Sequence, residues 1–344
     1  MRIVSYNVEW FVSLFDRRGR LLSDDVPSAR YGVSRRAQAE ALGRVFQALD
    51  ADAVMVIEAP DDNILRRRTT HMLETFAERF GLRARKALLG FANDTQQEIA
   101  LMYDPDRLSV RHDPRGEPGP PAPGKPAPRF DSWTQIDLNI DGRVDTVTFS
   151  KPPLGLAART AGGTALRMIG VHIKSKAPHG ATSPDDERRL AIENRRKQMA
   201  QCLWLRDRVL EHLAAGESLI VLGDFNDGPG LDSYEKLFGR SGLEIVLGWD
   251  EPHATRMFDP HGRAVLGKKL AAAPASSRFF LPEEGHFFSA MLDYVMVSPD
   301  LRARGPHWRI WHPFDDPACY TDPALREALL TASDHFPVSL DIDI

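Results

Sequence analysis

The chain has 344 residues, 42% of them hydrophobic and 27% charged, with a formal net charge of −4. A chain this long can bury a large core without cross-links, and its near-neutral balance excludes a polycation that coats nucleic acid non-specifically. Cys202 and Cys319 are its two cysteines, and two distant thiols in a chain of this size read as free thiols of a reducing compartment.

Met1 to Asn7 holds no apolar run of signal-peptide length, and nowhere do about 20 apolar residues follow one another as a membrane span requires. The expectation is a cytoplasmic, monomeric protein without a membrane span, folded as one domain over residues 1–344. Ile3 to Tyr6 predicts a short buried strand, followed by a polar loop over residues 11–33, with Trp10-Phe11 assigned to the core. From Ser34, an N-cap residue, Ala41, Leu42, Val45, Phe46 and Leu49 recur at helical spacing. Ala53 to Ile57 is a continuous apolar run suited to a buried strand, and a helix is predicted from Asn63 to Phe80.

Ile99 to Tyr103 and Leu108 to Arg111 predict strands on either side of a turn at Asp104-Pro105-Asp106. Residues 114–128 are rich in Pro and Gly and form the clearest surface loop. Ile136 to Ile140 and Val144 to Phe149 predict a hairpin turning at Asp141-Gly142. Arg167 to His172 is a further strand, and the longest helix runs from about Pro184 to Leu213 with Met199, Cys202 and Val209 on its apolar stripe. Leu219 to Leu222, Leu292 to Val297 and Val338 to Ile342 complete the strands, with residues 260–286 read as a second long irregular stretch. The order of elements suggests sheets covered by helices.

Several apolar strands end in a residue that is costly to bury alone. Asn7 follows Tyr6, Glu58 follows Ile57, His172 follows Val171, and Asp224 and Asn226 follow Leu222-Gly223. Asp293 lies within Met291 to Val295, and Asp334-His335 precede Phe336-Pro337-Val338. A polar strand end usually caps a helix or begins a turn; the recurrence points to a site. Carboxylates and an amide are hard oxygen ligands, suited to Mg²⁺ or Mn²⁺. The sequence has no paired-cysteine zinc pattern, no Walker loop and no Gly-x-Ser-x-Gly elbow. Acidic and amide groups with two histidines suit hydrolysis at phosphorus.

Taken in order, Ser5-Tyr6-Asn7-Val8-Glu9-Trp10, Ile57-Glu58, His172, Gly223-Asp224-Phe225-Asn226, Leu292-Asp293-Tyr294 and Ser333-Asp334-His335-Phe336-Pro337 resemble the endonuclease/exonuclease/phosphatase superfamily, DNase I-like proteins. The resemblance implies a four-layered α/β/β/α sandwich of two packed mixed sheets. It implies Glu58 as principal metal ligand with Asn7 and Asp334 beside it, and Asp224 orienting or deprotonating the attacking water. Asn226 would donate to a phosphate oxygen, and His335 would contact the phosphate with its ring held by Asp293. His172 would pair with Glu98, just before a strand, because a carboxylate on one ring nitrogen fixes the tautomer. One departure stands out: the family often has Gln where this chain has Ile57.

Lys174 and Lys176, just after His172, are placed to meet a substrate phosphate. Arg188-Arg189 and Arg195-Arg196-Lys197 read as a solvated helix face, and Arg66-Arg67-Arg68 as a rim loop. The expected substrate is a phosphoester, first a DNA or RNA phosphodiester. A small-molecule or lipid-headgroup phosphoester comes second, and a non-catalytic binding protein on the same fold third. Two features of the inositol-phosphatase branch, Asn-Tyr-Arg after Gly-Asp and Cys-Asp-Arg in place of Leu292-Asp293-Tyr294, are lacking. Loops 114–128 and 260–286 are the expected specificity elements. The latter holds Lys268-Lys269 and Arg278-Phe279-Phe280, whose aromatics are assigned to anchoring.

Overall fold

A computed structural model describes residues 1–62, 68–120, 124–138, 142, 144–178, 180–228, 235–267, 273–281 and 285–344. Its strands are β1 (Arg2–Asn7), β2 (Ala53–Ala59), β3 (Lys86–Leu89), β4 (Glu98–Tyr103), β5 (Leu108–His112), β6 (Trp133–Asp137), β7 (Val144–Thr148), β8 (Leu154–Thr160), β9 (Ala165–His172), β10 (Leu219–Asp224), β11 (Ser277–Leu281), β12 (His286–Ala290), β13 (Asp293–Val297), β14 (His307–Ile310) and β15 (Val338–Asp341). The principal helices are α1 (Arg35–Leu49), α2 (Thr69–Phe80) and α3 (Pro184–Ala214). A first sheet runs β14-β15-β1-β2-β4-β3, and a second runs β13-β10-β9-β8-β5. Each mixes parallel and antiparallel neighbours, β1–β2 and β9–β10 being the parallel pairs.

Period-two alternation sorts these strands into layers. In the first sheet, Ile3, Ala53, Met55, Ile57, Ile99 and Leu101 meet Leu154, Leu156, Met168, Ile220 and Leu222 of the second in one buried cluster. The intervening residues Val4, Tyr6, Val54 and Val56 pack outward with Leu42, Val45 and Phe46 of α1 and Phe76 of α2. On the far side Ile169, Val171, Leu219 and Val221 pack with Met199, Trp204 and Leu205 of α3. The result is the four-layered α/β/β/α sandwich. Ile57, where the family often has Gln, is fully buried in the inter-sheet core.

Helix starts follow their caps. Ser34 accepts from the Ala37 amide at α1, and Ser183 from the Asp186 amide at α3, where Pro184 occupies the first turn. The helix predicted from Asn63 begins at Thr69, because Arg68 before it is extended backbone at the N-cap; residues 63–67, including Arg66 and Arg67, lie outside the described residues. The same holds for Asp141 of the hairpin turn and for Lys268-Lys269. The strands flanking Asp104-Pro105-Asp106 form as expected, but β4 and β5 belong to different sheets, so this turn crosses the sandwich. The described part of the stretch 260–286 is not irregular throughout, contrary to the expectation. It contains a helix, Pro260–Leu266, and the strand β11, which pairs with β12 just beyond it.

Candidate active site

The inter-sheet phase of four strands delivers polar side chains to one end of the sandwich. Asn7 continues the phase of Ile3, His172 that of Leu166 and Met168, and Asp224 that of Ile220 and Leu222. Asp293 shares the phase of Val295 and Val297. Register then sets them side by side, with Asp224 opposite His172 on β9 and opposite Asp293 on β13. Across the gap, Asn7 Nδ2 donates to Asp224 Oδ2 at 3.1 Å. Gly223 permits this convergence, since it has φ 144° and a Cβ there would collide with the Val171 carbonyl.

Glu58 arrives by a different device. The β2–β4 register shifts between Ile57 and Ala59, and Glu58 takes a positive φ of 63° at this bulge. Among the described residues six non-glycine residues have positive φ, and four of them (Glu9, Trp10, Glu58 and Asn226) fall in the site motifs. Backbone strain of this kind concentrates where side chains are aimed for function. The Trp10 amide donates to Glu58 Oε2 at 2.8 Å, tying the first motif to the second.

Asp224 Oδ2 is the focus of the cluster. It also accepts from Asn226 Nδ2 at 3.2 Å, while Oδ1 accepts from the Asn226 amide at 2.8 Å. Nε2 of His172 lies 3.6 Å and Nε2 of His335 3.9 Å from Oδ2. Burial pushes the Asp224 carboxyl up to about 7, with the nearby His335 opposing and Asp293 adding to the rise. His335 Nδ1 lies 2.8 Å from Asp293 Oδ2. A carboxylate only accepts, so Nδ1 carries the proton and Nε2 faces Asp224. Burial disfavours the imidazolium, but Asp293 and Asp224 outweigh it and hold His335 well above its ordinary value. Ser276 Oγ donates to Asp293 Oδ2 at 2.8 Å, and Ser333 Oγ to the Asn7 carbonyl at 2.8 Å, fixing the dyad to both sheets.

The expected His172–Glu98 pair does not form. Glu98, the first residue of β4, is fully buried, and its carboxylate accepts from the Asn93 side chain at 2.6 Å and the Asn93 amide at 3.2 Å. His172 instead has Lys151 Nζ 3.2 Å from both ring nitrogens. Burial, then Lys151, keeps His172 neutral, its pKa well below the ordinary range. Lys151 was not anticipated; the signal was a lysine between Ser150 and Pro152-Pro153, immediately before a strand. Lys176 donates to buried Asp227 at 2.9 Å, a structural ion pair. Lys174 makes no salt bridge among the described residues, and burial beside Lys197 lowers its pKa.

Two further expectations change. Arg195 is buried against Asp227 at 2.7 Å and is no part of a solvated face. Trp10 is 40% exposed while Phe11 is fully buried, so only the second of the pair is core.

Two carboxylate groupings have the chemistry to hold a cation. Ligand atoms of Asp224, Asp293 and His335 lie within 4.8 Å of one another. The second comprises Glu58, Asp334 and Asn7. Burial raises the Glu58 pKa; the Trp10 amide, Lys151 and His335 oppose that rise, and Asp334 adds a smaller one. Behind them Glu9, also pushed up to about 7 by burial and by Asp334, accepts from Arg30 and from the Asp334 amide. Glu9 stood in the first motif without an assigned role. Hard oxygen donors of this kind fit Mg²⁺ or Mn²⁺.

A profile of the Endonuclease/Exonuclease/phosphatase family matches residues 4–335. No curated protein matches the sequence significantly. Among solved structures, truncated TDP2 from Caenorhabditis elegans shares 13% identity, with a TM-score of 0.51 over 98% of this chain and 96% of that one. An endonuclease/exonuclease/phosphatase family protein from Bacteroides thetaiotaomicron shares 14% identity, with a TM-score of 0.50 over 99% and 93% of the two chains. Identities this low speak to the fold. Among the described residues, no helix is long and apolar enough to cross a membrane.

Proposed function

We propose, from the premise that this chain belongs to the endonuclease/exonuclease/phosphatase family of phosphoesterase hydrolases, that it hydrolyses phosphodiesters of nucleic acid by in-line attack of water. The observation that carries the reading is the convergence on Asp224 Oδ2, with a neutral amide on each side and the Asp293–His335 dyad facing it.

In this reading Asp224 receives the proton of the attacking water. A carboxyl pushed up to about 7 is a better base at neutral pH than an ordinary aspartate. Asn7 and Asn226 aim it. Asn226 was expected to donate to a phosphate oxygen, but its Nδ2 donates to the Ile173 carbonyl at 3.1 Å and to Asp224, so we assign it a positioning role. His335, protonated and held by Asp293, donates from Nε2 to a phosphoryl oxygen as charge grows there. Lys151 and Lys174, together with neutral His172, offer donors for the remaining oxygens, taking the part first given to Lys174 and Lys176. A divalent Mg²⁺ or Mn²⁺ held by Glu58, with Asn7 and Asp334, would supply Lewis-acid polarisation of the phosphate.

The test is one panel of substrates in Mg²⁺, Mn²⁺ or EDTA: plasmid, single-stranded DNA, RNA, bis-p-nitrophenyl phosphate and a phosphomonoester. Diester cleavage abolished by EDTA and restored by either metal is the expected result. Cleavage of the monoester alone would replace the nuclease reading with a phosphatase. Activity indifferent to EDTA would remove the metal from the mechanism.

A further inference from the structure

Asn7, Glu58 and Asp334 reach their corner on three separate segments, yet one dipeptide touches all three. The Glu9 amide donates to Asn7 Oδ1 at 3.1 Å, the Trp10 amide to Glu58 Oε2 at 2.8 Å, and the Asp334 amide to Glu9 Oε2 at 2.8 Å. These bonds are made with Glu9 and Trp10 both in left-handed backbone, at φ 48° and 57°. Residues other than glycine seldom adopt that conformation, and two in succession persist only where the surroundings hold them.

Two side chains do the holding, and each bridges the same two segments. Arg30, in the loop before α1, pairs with Glu9 Oε2 through Nη1, and its Nη2 donates to the Leu330 carbonyl at 2.7 Å. Gln38, fully buried on α1, donates from Nε2 to the Glu9 carbonyl at 3.0 Å and to the Ala332 carbonyl at 3.2 Å. Leu330 and Ala332 lie in the last turn of the helix Pro323–Ala332, where carbonyls lack partners within a helix. Asp334 follows two residues later. Arg30 and Gln38 therefore fasten the turn after Asn7 to the helix end that delivers Asp334. A guanidinium fork serves two acceptors at fixed geometry, which an ammonium does not. The loop in turn sets Arg30, whose amide donates to Ser28 Oγ at 3.2 Å while the Ser28 amide donates to the Val33 carbonyl at 2.9 Å.

We infer that Arg30 and Gln38 are positioning residues of the metal corner: they lock Glu9–Trp10 in its left-handed turn and so set Asn7, Glu58 and Asp334 relative to one another. The inference rests on the reading that these three hold a divalent cation, and adds to it the residues that preorganise them. It also gives Glu9 a part. With Oε2 taken up by Arg30 and by the Asp334 amide, Glu9 is a bracket between the ligands and not itself a ligand. The competing reading makes Glu9 a ligand that Arg30 neutralises until a cation displaces it. The two differ in sign: removing Arg30 loosens the corner in the first and frees a carboxylate for the cation in the second.

The experiment reads metal binding without substrate. Mn²⁺ is titrated into the full-length protein, free Mn²⁺ is followed by electron paramagnetic resonance, and the site scored is the one that Glu58→Gln removes. Arg30→Gln should weaken that site about tenfold to a hundredfold, the scale of a lost partner behind a metal's ligands. Arg30→Lys keeps the charge beside Glu9 but loses the fork to Leu330, and its affinity should fall between the two. Gln38→Met, of similar length and without a donor, should weaken the site in the same direction, and it decides the matter if Arg30→Gln folds poorly. Wild-type affinity in folded Arg30→Gln overturns the inference. Tighter binding in that variant overturns it in favour of Glu9 as a ligand. A wild-type protein that binds no Mn²⁺ removes the metal itself and this inference with it, whereas a wild type that binds and variants that match it remove the inference alone.

Discussion

Asp224 and Asp227 lie three residues apart, both buried, and their carboxyls shift in opposite directions. Asp227 is met by Lys176 at 2.9 Å, by Arg195 at 2.7 Å and by the Gly242 amide at 2.5 Å. Burial alone would raise its pKa, and the two cations more than reverse that. Asp224 receives amide donors and a shared imidazolium but, among the described residues, no guanidinium or ammonium at bonding distance, and burial prevails. The region around Asp227 is a compensated joint between α3 and the loop after β10. The region around Asp224 is left electrostatically unfinished, as groups that must exchange protons are. Of these two aspartates, the compensated one is a structural joint and the uncompensated one lies in the candidate site.

The comparison can be broken at either end. The largest expected effect is Asp227→Ala, which strands buried Arg195 and should cost about 3–5 kcal/mol in urea unfolding. A cost near zero would mean that this joint bears no load. Next, Asp224→Asn should slow diester cleavage by roughly 10²–10³, the scale of one lost preorganised group. Its unfolding midpoint at pH 8 should not fall, because a folded pKa raised to about 7 means that ionised Asp224 lowers stability as pH rises from the ordinary carboxylate range through 7. A large loss of stability in that variant would make Asp224 a second Asp227.

Lys151→Gln sharpens the contrast further. Lys151 carries a pKa lowered by burial, only partly offset by Glu58 and Asp224. It should lose about tenfold to a hundredfold in kcat/KM, the range of a hydrogen bond to a charged group, with little change in melting temperature. The smallest effect is assigned to Glu98→Gln. Glu98 is pushed up to about 7 by burial and does not touch His172. Its ionisation lowers stability between about pH 4.5 and 7, so the variant's advantage in thermal melts should grow across that window while activity stays as in the wild type. A fall in activity would restore the His172–Glu98 link.

Much of the site was legible in the chain itself. Asn7, His172, Asp224 and Asp293 end or begin apolar strands, and strand phase is a local property that any reader of alternation can follow; Glu58 is aimed by a bulge and His335 lies three residues before β15, so their aim is not written in that phase. The assignment of α3 held to within a residue because its Ser183 cap, its Pro184 start and the Gly216 just beyond its end are also local. The Pro-Gly stretch at 114–128 belongs to the same class of signal; the hairpin around Gly142 forms too, but its first strand is Trp133–Asp137 and not Ile136 to Ile140. What failed had a common cause. Lys174 and Lys176 are equivalent in sequence, and Arg195 looks like any arginine of a basic run. Their fates depend on where Asp227 lies, more than thirty residues on from Arg195 and more than fifty from Lys176.

The sequence by itself determined which side chains face the gap between the sheets, because the period of a strand and the cap of a helix are written within a few residues. Only the tertiary structure decided which of those side chains meet. It set Lys151 where Glu98 was expected, made Arg195 and Lys176 partners of Asp227, and stood the β11–β12 hairpin beside the dyad. Each depends on register between strands and on loops crossing from sheet to sheet, and such long-range contacts are fixed by how whole layers pack rather than by local pattern.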